Sequence, residues 1–193
     1  YARIAPLLIV LLGFAVRVWA MDTAWIDGDR ANPHGLGLVA LDTASSGDWP
    51  NFPLFSDEAS VGLPNPPLLT YAYALAALTG RSLSMANALG LIANTITVAA
   101  AFGIGRRMHS WSAGMLAATL VACSNWGVYL ARGTWHPTPI EPGVALSAFL
   151  LLAGLTRQRA RLLISGFVVA AATAFSYLAA FVILAQAPFA VLV

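Results

Sequence analysis

The last 32 residues of the chain, 162–193, contain no charged side chain. Similar runs, almost free of charge, occupy residues 4–21, 82–105, 111–131 and 140–156. About 20 apolar residues in a helix cross the ~30 Å hydrocarbon core of a bilayer, and a helix satisfies its own backbone polar groups. With 59% hydrophobic and 9% charged residues, the composition excludes a soluble domain. We therefore predict an all-α membrane protein, a polytopic bundle of about five or six transmembrane helices in which 162–193 forms one or two.

Polar residues concentrate between the first two runs, at 22–81. This stretch is rich in Gly and Pro and holds seven of the eight carboxylates of the chain: Asp22, Asp27, Asp29, Asp42, Asp48, Asp57 and Glu58. Its apolar part, 68–79, is too short to span a membrane, so we predict an interfacial, juxtamembrane helix there. Structureless loops of this length are uncommon in compact domains and often functional, which makes 22–81 the first place to look for function.

The placement of arginine predicts the orientation in the membrane. All ten basic residues are Arg, and six of them lie beside short loops, at Arg3, at Arg106 and Arg107, and at Arg157, Arg159 and Arg161. Such clusters mark the cytoplasmic side. The loop 22–81 and the second polar turn at 132–142 then lie outside, together with every carboxylate. If 68–79 spanned the membrane, this charge bias would fail, which supports the interfacial assignment.

The positions of Arg17 and Cys123 predict where their side chains lie. Arg17 is the one internal charge of the first run, and its position near the far end predicts a side chain that snorkels to the interface. Cys123 is the one cysteine and sits in an apolar run, so we expect a small buried side chain rather than a disulfide or a metal ligand.

A pair of carboxylates with a neighbouring guanidinium opens the long loop, as Asp27-Gly-Asp29-Arg30. Carboxylates suit a general base or a metal ion, and Arg suits a phosphate. An isolated motif of this kind is more often a helix cap or a solvated loop segment. By itself it leaves these interpretations open.

Several short motifs follow one another in a recognisable order. They are Asp27-Gly-Asp29-Arg30, Gly47-Asp-Trp-Pro50, Asn65-Pro-Pro-Leu-Leu-Thr-Tyr-Ala-Tyr73, Arg106-Arg107-Met108 and Leu130-Ala-Arg-Gly-Thr-Trp-His136. In this order the chain resembles the membrane half of glycosyltransferase family 39, the type-C fold (GT-C) enzymes that include dolichyl-phosphate-mannose protein mannosyltransferases and aminoarabinose transferases. The resemblance covers nearly the whole chain.

The resemblance implies a reaction and assigns residues to it. A sugar moves from a polyprenyl-phosphate donor to an acceptor hydroxyl on the extracytoplasmic face, with inversion at the anomeric carbon. Asp29 is the first choice for the general base and Asp27 the second. Arg30 and Arg132 are the candidate phosphate ligands, although Arg132 is equally well explained as an anchor at a helix end.

Three further residues are candidates for the acceptor side of the cavity: His136, Glu141 and Asn65. His136 and Glu141 flank the second outer turn, where solvated loop residues are the simpler interpretation. Relatives commonly have Lys where this chain has Asn65, so the phosphate contact of that Lys has no direct counterpart here. No spacing of His, Asp and Glu indicates a metal site, and whether a divalent ion assists is left open.

The expected partners are the polyprenyl-phosphate sugar, membrane lipids and other membrane subunits, but no nucleic acid. We expect the protein in a bacterial plasma (inner) membrane. Because the chain begins at Tyr1 and stops at Val193 within an apolar run, we expect it to be the N-terminal membrane module of a longer protein. Two alternatives remain: a non-catalytic scaffold subunit with the same fold, and a transporter fragment, which the scarcity of ionisable residues at mid-span disfavours.

Overall fold

The structure is a computed structural model that describes residues 4–19, 35–47, 54–55, 64–65, 68–80, 83–134 and 138–176. In chain order its elements are α1 (Ile4–Val18), α2 (Gly35–Ser46), β1 (Leu54–Phe55), β2 (Pro64–Asn65), α3 (Leu68–Leu78), α4 (Leu83–Met108), α5 (Trp111–Ala122), α6 (Asn125–Ala131), α7 (Ile140–Arg157) and α8 (Ala160–Ala174). β1 and β2 form a short antiparallel pair. The predicted all-α membrane class is confirmed.

Two of the described helices are long and apolar enough to cross a bilayer, α4 from Asn87 onward and α7 over its whole length. The pair α5 and α6 makes a third span if the two are taken together. α1, α3 and α8 are shorter apolar helices, and the runs predicted around α1 and α8 continue into residues outside the described ranges. The total of five or six spans stays a prediction.

The centre of the bundle is formed by α1, α4 and α5. Val98 of α4 packs against Ala118 and Ala122 of α5, and Ile9 and Val10 of α1 cover this cluster. Small side chains dominate because lipid is as apolar as the core, so close packing drives helix association in membranes.

Glycines let neighbouring helices approach closely at two hairpins. A Cβ at Gly114 of α5 would lie 2.7 Å from the backbone oxygen of Phe102 in α4, and a Cβ at Gly154 of α7 would lie 2.9 Å from the backbone nitrogen of Leu163 in α8. The α4–α5 turn is closed by Ser110, whose hydroxyl accepts a hydrogen bond from the amide of Ala113 at 3.2 Å.

The long polar segment contains a helix that the sequence did not predict. Leu41 and Ala44 of α2 pack against an apolar cluster on α3 that includes Tyr73 and Ala77. α3 itself lies within the range 68–79 predicted for the interfacial helix. α2 and α3 together therefore form a helical layer on one side of α4.

Candidate functional site

Arg17 is fully buried, so the prediction that its side chain snorkels to the interface is wrong. Its Nη1 donates to the backbone oxygens of Gly13 at 3.0 Å and Ala122 at 3.2 Å, and its Nη2 donates to the oxygen of Val121 at 3.1 Å. A buried guanidinium is costly unless its donors are satisfied. Here backbone carbonyls of another helix satisfy two of them.

Those carbonyls are available because the predicted run 111–131 is broken. α5 and α6 meet at an angle of 58° at Cys123 and Ser124, and the hydroxyl of Ser124 caps α6 by accepting from the amide of Gly127 at 3.2 Å. The last carbonyls of a helix have no partner within the helix. Arg17 supplies one for Val121 and Ala122. Cys123 at the break is exposed, contrary to the expected burial.

Glu141 lies in the first turn of α7, and its carboxylate and the guanidinium of Arg17 both lie next to Gly127. A Cβ at Gly127 would lie 3.0 Å from Nη2 of Arg17 and 3.1 Å from Oε2 of Glu141. The two charges attract each other, and Oε2 has no hydrogen-bond partner among the described residues. A glycine at 127 therefore leaves free the space beside α6 in which the two opposite charges lie.

Glu141 also lines a groove of about 520 Å³ between α4, α6 and α7. The other walls are mainly apolar and include Ile104, Val121, Trp126 and Leu130. Pockets of a few hundred Å³ with apolar walls and a few placed polar groups are typical ligand sites. The carboxylate of Glu141 gives this apolar groove one polar end.

Arg132 contacts the C-terminal end of α1. Its Nη2 donates to the backbone oxygen of Val16 at 2.9 Å, and its Nε lies 3.4 Å from that of Arg17. A cation at a helix C-terminus stabilises the helix dipole and satisfies its unpaired carbonyls. Arg132 and Glu141, both predicted from the sequence, thus both lie near Arg17: Arg132 at its backbone oxygen and Glu141 near its guanidinium.

A buried polar network holds the turn that carries Arg132. Nδ2 of Asn87 donates to the backbone oxygen of Arg132 at 2.5 Å, and Nδ2 of Asn94 donates to that of Thr138 at 3.4 Å. The hydroxyl of Thr138 donates to the oxygen of Gly133 at 3.2 Å. Both Asn side chains project from α4, so this helix fixes both ends of the outer turn.

Tyr73 extends the network to α3. Its side chain is buried, and its hydroxyl makes a hydrogen bond with Thr138. A phenol is already neutral at physiological pH, and burial raises the pKa of the Tyr73 phenol further above its ordinary value. The helical layer of the polar segment is therefore joined to the outer turn by a neutral contact.

The remaining candidate residues are placed only in part. Asp27, Asp29, Arg30 and His136 lie outside the described residues. The backbone of Asn65 lies in β2, opposite Leu54. In the part of the chain that the structure describes, no three His, Cys, Asp or Glu residues lie together as metal ligands would.

A comparison with protein families gives one match, to the model described as dolichyl-phosphate-mannose-protein mannosyltransferase, over residues 64–193. This is about two-thirds of the chain. The chain belongs to this family. No curated protein matches it, and no solved structure does.

Membership of the mannosyltransferase family identifies the chain as an integral membrane glycosyltransferase of the type-C fold. The matched segment contains Asn65, Arg132, His136 and Glu141, and it begins after the acidic motif of the long loop. The family assignment therefore rests on the later helices and the outer turn, where Arg17 makes its contacts.

Sequence reasoning missed the roles of Arg17 and Asn94. For Arg17 the signal was present, since a charge inside an apolar run is rarely idle. For Asn94 the signal was weaker: Asn87 and Asn94 are seven residues apart and share one face of a helix.

Proposed function

We propose that this protein transfers a sugar from a polyprenyl-phosphate donor to an acceptor hydroxyl at the extracytoplasmic face of a bacterial plasma membrane. The observation that supports this most is the arrangement of Arg132 and Glu141 about Arg17, beside an apolar groove, in a chain of the mannosyltransferase family. Glu141 then gives this place for a lipid chain a carboxylate, and Arg132 supplies a phosphate-binding cation near Arg17, outside the residues that line the groove.

The groove of about 520 Å³ suits part of the polyprenyl chain. The groove runs along α4 from Thr97 to Ile104. Because α4 is apolar enough to cross the bilayer, an isoprenoid can enter the groove from the lipid. Glu141, at its polar end, is suited to accept a hydrogen bond from the acceptor hydroxyl or from the sugar.

The chemistry is a single displacement. Asp29, or Asp27 in its place, takes the proton of the acceptor hydroxyl, whose oxygen attacks the anomeric carbon from the side opposite the phosphate. The bond from the anomeric carbon to the phosphate oxygen breaks, and polyprenyl phosphate leaves with the electron pair. Arg30 and Arg132 stabilise its growing charge through guanidinium–phosphate hydrogen bonds. Inversion follows from the direct attack.

Arg132 can bind the phosphate while it contacts α1. The donors described for it are Nε and Nη2, which point at backbone oxygens of Val16 and Arg17. A guanidinium carries five N–H donors in a fixed fork, so others remain for a phosphate. The contacts with α1 would hold the fork in place before the donor binds.

The test uses the full-length protein with polyprenyl-phosphate sugars as donors. We expect Asp29→Asn to lower turnover by about 100-fold or more if it is the base, since general base catalysis contributes about 10²–10⁴. Asp27→Asn and the double variant identify which carboxylate acts. Asp42→Asn is the matched control, because Asp42 is exposed on α2. Full turnover in the double variant would contradict the mechanism, and absence of turnover in the wild type with every donor would favour the scaffold alternative.

A further inference from the structure

A second pocket lies beside the first groove and extends toward the C-terminal ends of α4 and α7. Its volume is about 510 Å³, and its walls include Arg106, Arg107 and Arg157 with Phe149 and Thr156. Glu141 and Arg157 lie 16 residues apart on one helix, or about 24 Å at 1.5 Å per residue. The arginines of this pocket therefore lie at the opposite end of α7 from Glu141.

Arg107 is held in position within this second pocket. Its guanidinium carbon lies 4.6 Å from the centre of the Phe149 ring, in a cation–π contact, and its Nη1 donates to the backbone oxygen of Gly103 at 3.2 Å. Phe149 in turn packs directly on Gly103, where any Cβ would collide with the ring. A long side chain fixed in this way loses little further entropy when it binds a ligand.

The charges of this pocket have no counter-ion in the described chain. The carboxylates among the described residues are Asp42 and Glu141, and neither lines it. Arg106 and Arg157 both repel Arg107 electrostatically. Three guanidinium groups around one cavity are unfavourable unless an anion shares the space.

We infer that this pocket binds the phosphate headgroup of an anionic phospholipid. A basic pocket between helices at the membrane surface is a known way to bind such headgroups. Both helices that form it are apolar enough to cross the bilayer, so acyl chains can lie along α4 and α7 while the phosphate meets the Arg cluster. Thr156, at the rim, offers a hydroxyl beside the guanidinium groups.

The inference goes beyond generic attraction of cationic residues to the membrane surface. Arg159 and Arg161 follow in the turn and first residues of α8 and are exposed, as Arg157 is, but they do not line the pocket. A defined headgroup site requires Arg157 and not Arg161, whereas diffuse attraction treats the two alike. The proposal can therefore be tested by comparing two variants, one without the charge of Arg157 and one without the charge of Arg161.

The experiment is native mass spectrometry of the full-length protein released from nanodiscs that contain phosphatidylglycerol and phosphatidylcholine in equal amounts. We expect wild type to retain one phosphatidylglycerol. Arg157→Gln should lower that retention by about tenfold, because a hydrogen bond to a charged group contributes on the order of 1.5–3 kcal/mol. Arg161→Gln should change it by less than about twofold, because Arg161 does not line the pocket. If Arg157→Gln does not fold, Arg106→Gln is the second variant.

Three outcomes would overturn the proposal. The first is equal loss of lipid in the Arg157 and Arg161 variants, and the second is no preference of wild type for phosphatidylglycerol over phosphatidylcholine. The third is complete displacement of the lipid by millimolar inorganic phosphate, which would indicate a site for a soluble anion. The readout is lipid retention, not sugar transfer. Failure here therefore leaves the proposed glycosyltransferase activity untouched, and the reverse also holds.

Discussion

The guanidinium of Arg17 donates to the backbone oxygen of Ala122 at 3.2 Å, across 105 residues of sequence. This contact joins the first helix of the chain to the break between α5 and α6. It explains how a helix can be interrupted inside an apolar run without leaving its last carbonyls unpaired. The same side chain faces Glu141 across Gly127, so the break, the acid and the first helix form one unit.

Replacing Arg17 by Met should therefore be severe. The change leaves the oxygen of Ala122 without its donor, removes one of the two donors to the oxygen of Val121, and leaves the Glu141 carboxylate without its counter-charge. Removal of one partner of a buried charge pair costs about 3–5 kcal/mol. We expect a loss of about 3 kcal/mol in the free energy of unfolding, measured by denaturation in detergent.

The pairing of Arg17 with Glu141 can be isolated by a double-mutant cycle. In the Arg17→Met background, Glu141→Gln should cost less than it does in wild type, because the carboxylate has already lost its partner. Strictly additive effects of the two changes would show that the charges are not coupled.

Replacing Arg132 by Gln separates its two candidate roles. We expect the KM for the donor to rise by about tenfold or more, since a phosphate contact from a charged donor is lost. Stability should fall by about 1 kcal/mol because α1 loses its C-terminal cation. Arg159→Gln, which removes an exposed charge elsewhere, is the control. A stability change with an unaltered KM would leave Arg132 as a helix anchor alone.

Asn94 should be required for the position of the outer turn. Its side chain is buried and donates to the backbone oxygen of Thr138, so Asn94→Ala removes a buried hydrogen bond and costs about 0.5–1.5 kcal/mol. Faster hydrogen exchange at residues 133–138 should accompany the loss. Asn125→Ala, an exposed Asn in α6, serves as the matched control and should have little effect. Equal effects of the two substitutions would refute a specific role.

Gly114 should tolerate no side chain. In Gly114→Ala the new methyl group meets the backbone oxygen of Phe102, which cannot rotate away, so α4 and α5 must separate. Overpacking of this kind costs about 1–3 kcal/mol. Ser112→Ala, at an exposed position of the same helix, should shift stability by less than about 0.5 kcal/mol. Thermal unfolding in detergent measures both, and a neutral Gly114→Ala would mean that the hairpin relaxes freely.

Helix positions were predictable where the apolar run was long and uninterrupted. The runs 82–105 and 140–156 correspond closely to α4 and α7, because burial of backbone groups in lipid leaves a helix as the simplest structure. α2 was missed for the opposite reason. Its sequence is rich in Gly, Ser and Thr, and its contact with α3 is a tertiary one.

Two of the candidate site residues, Arg132 and Glu141, are brought close to Arg17 by the fold. Their nearness could not be read from spacing, because it depends on how α1 crosses the end of α5. The residues of the acidic motif, Asp27 and Asp29, keep their assignments as predictions, since they lie outside the described residues.

The sequence by itself determined that this chain is a helical membrane protein, where its two clearest spans lie, and which family pattern its motifs follow. These follow from hydrophobic length and from residue order, which are properties of the chain alone. Only the tertiary structure decided that Arg17 is buried rather than snorkelling, and that the run 111–131 is broken at Ser124. The reason is that the partners of the guanidinium, Val121 and Ala122, are more than 100 residues away and become acceptors only when the helices pack.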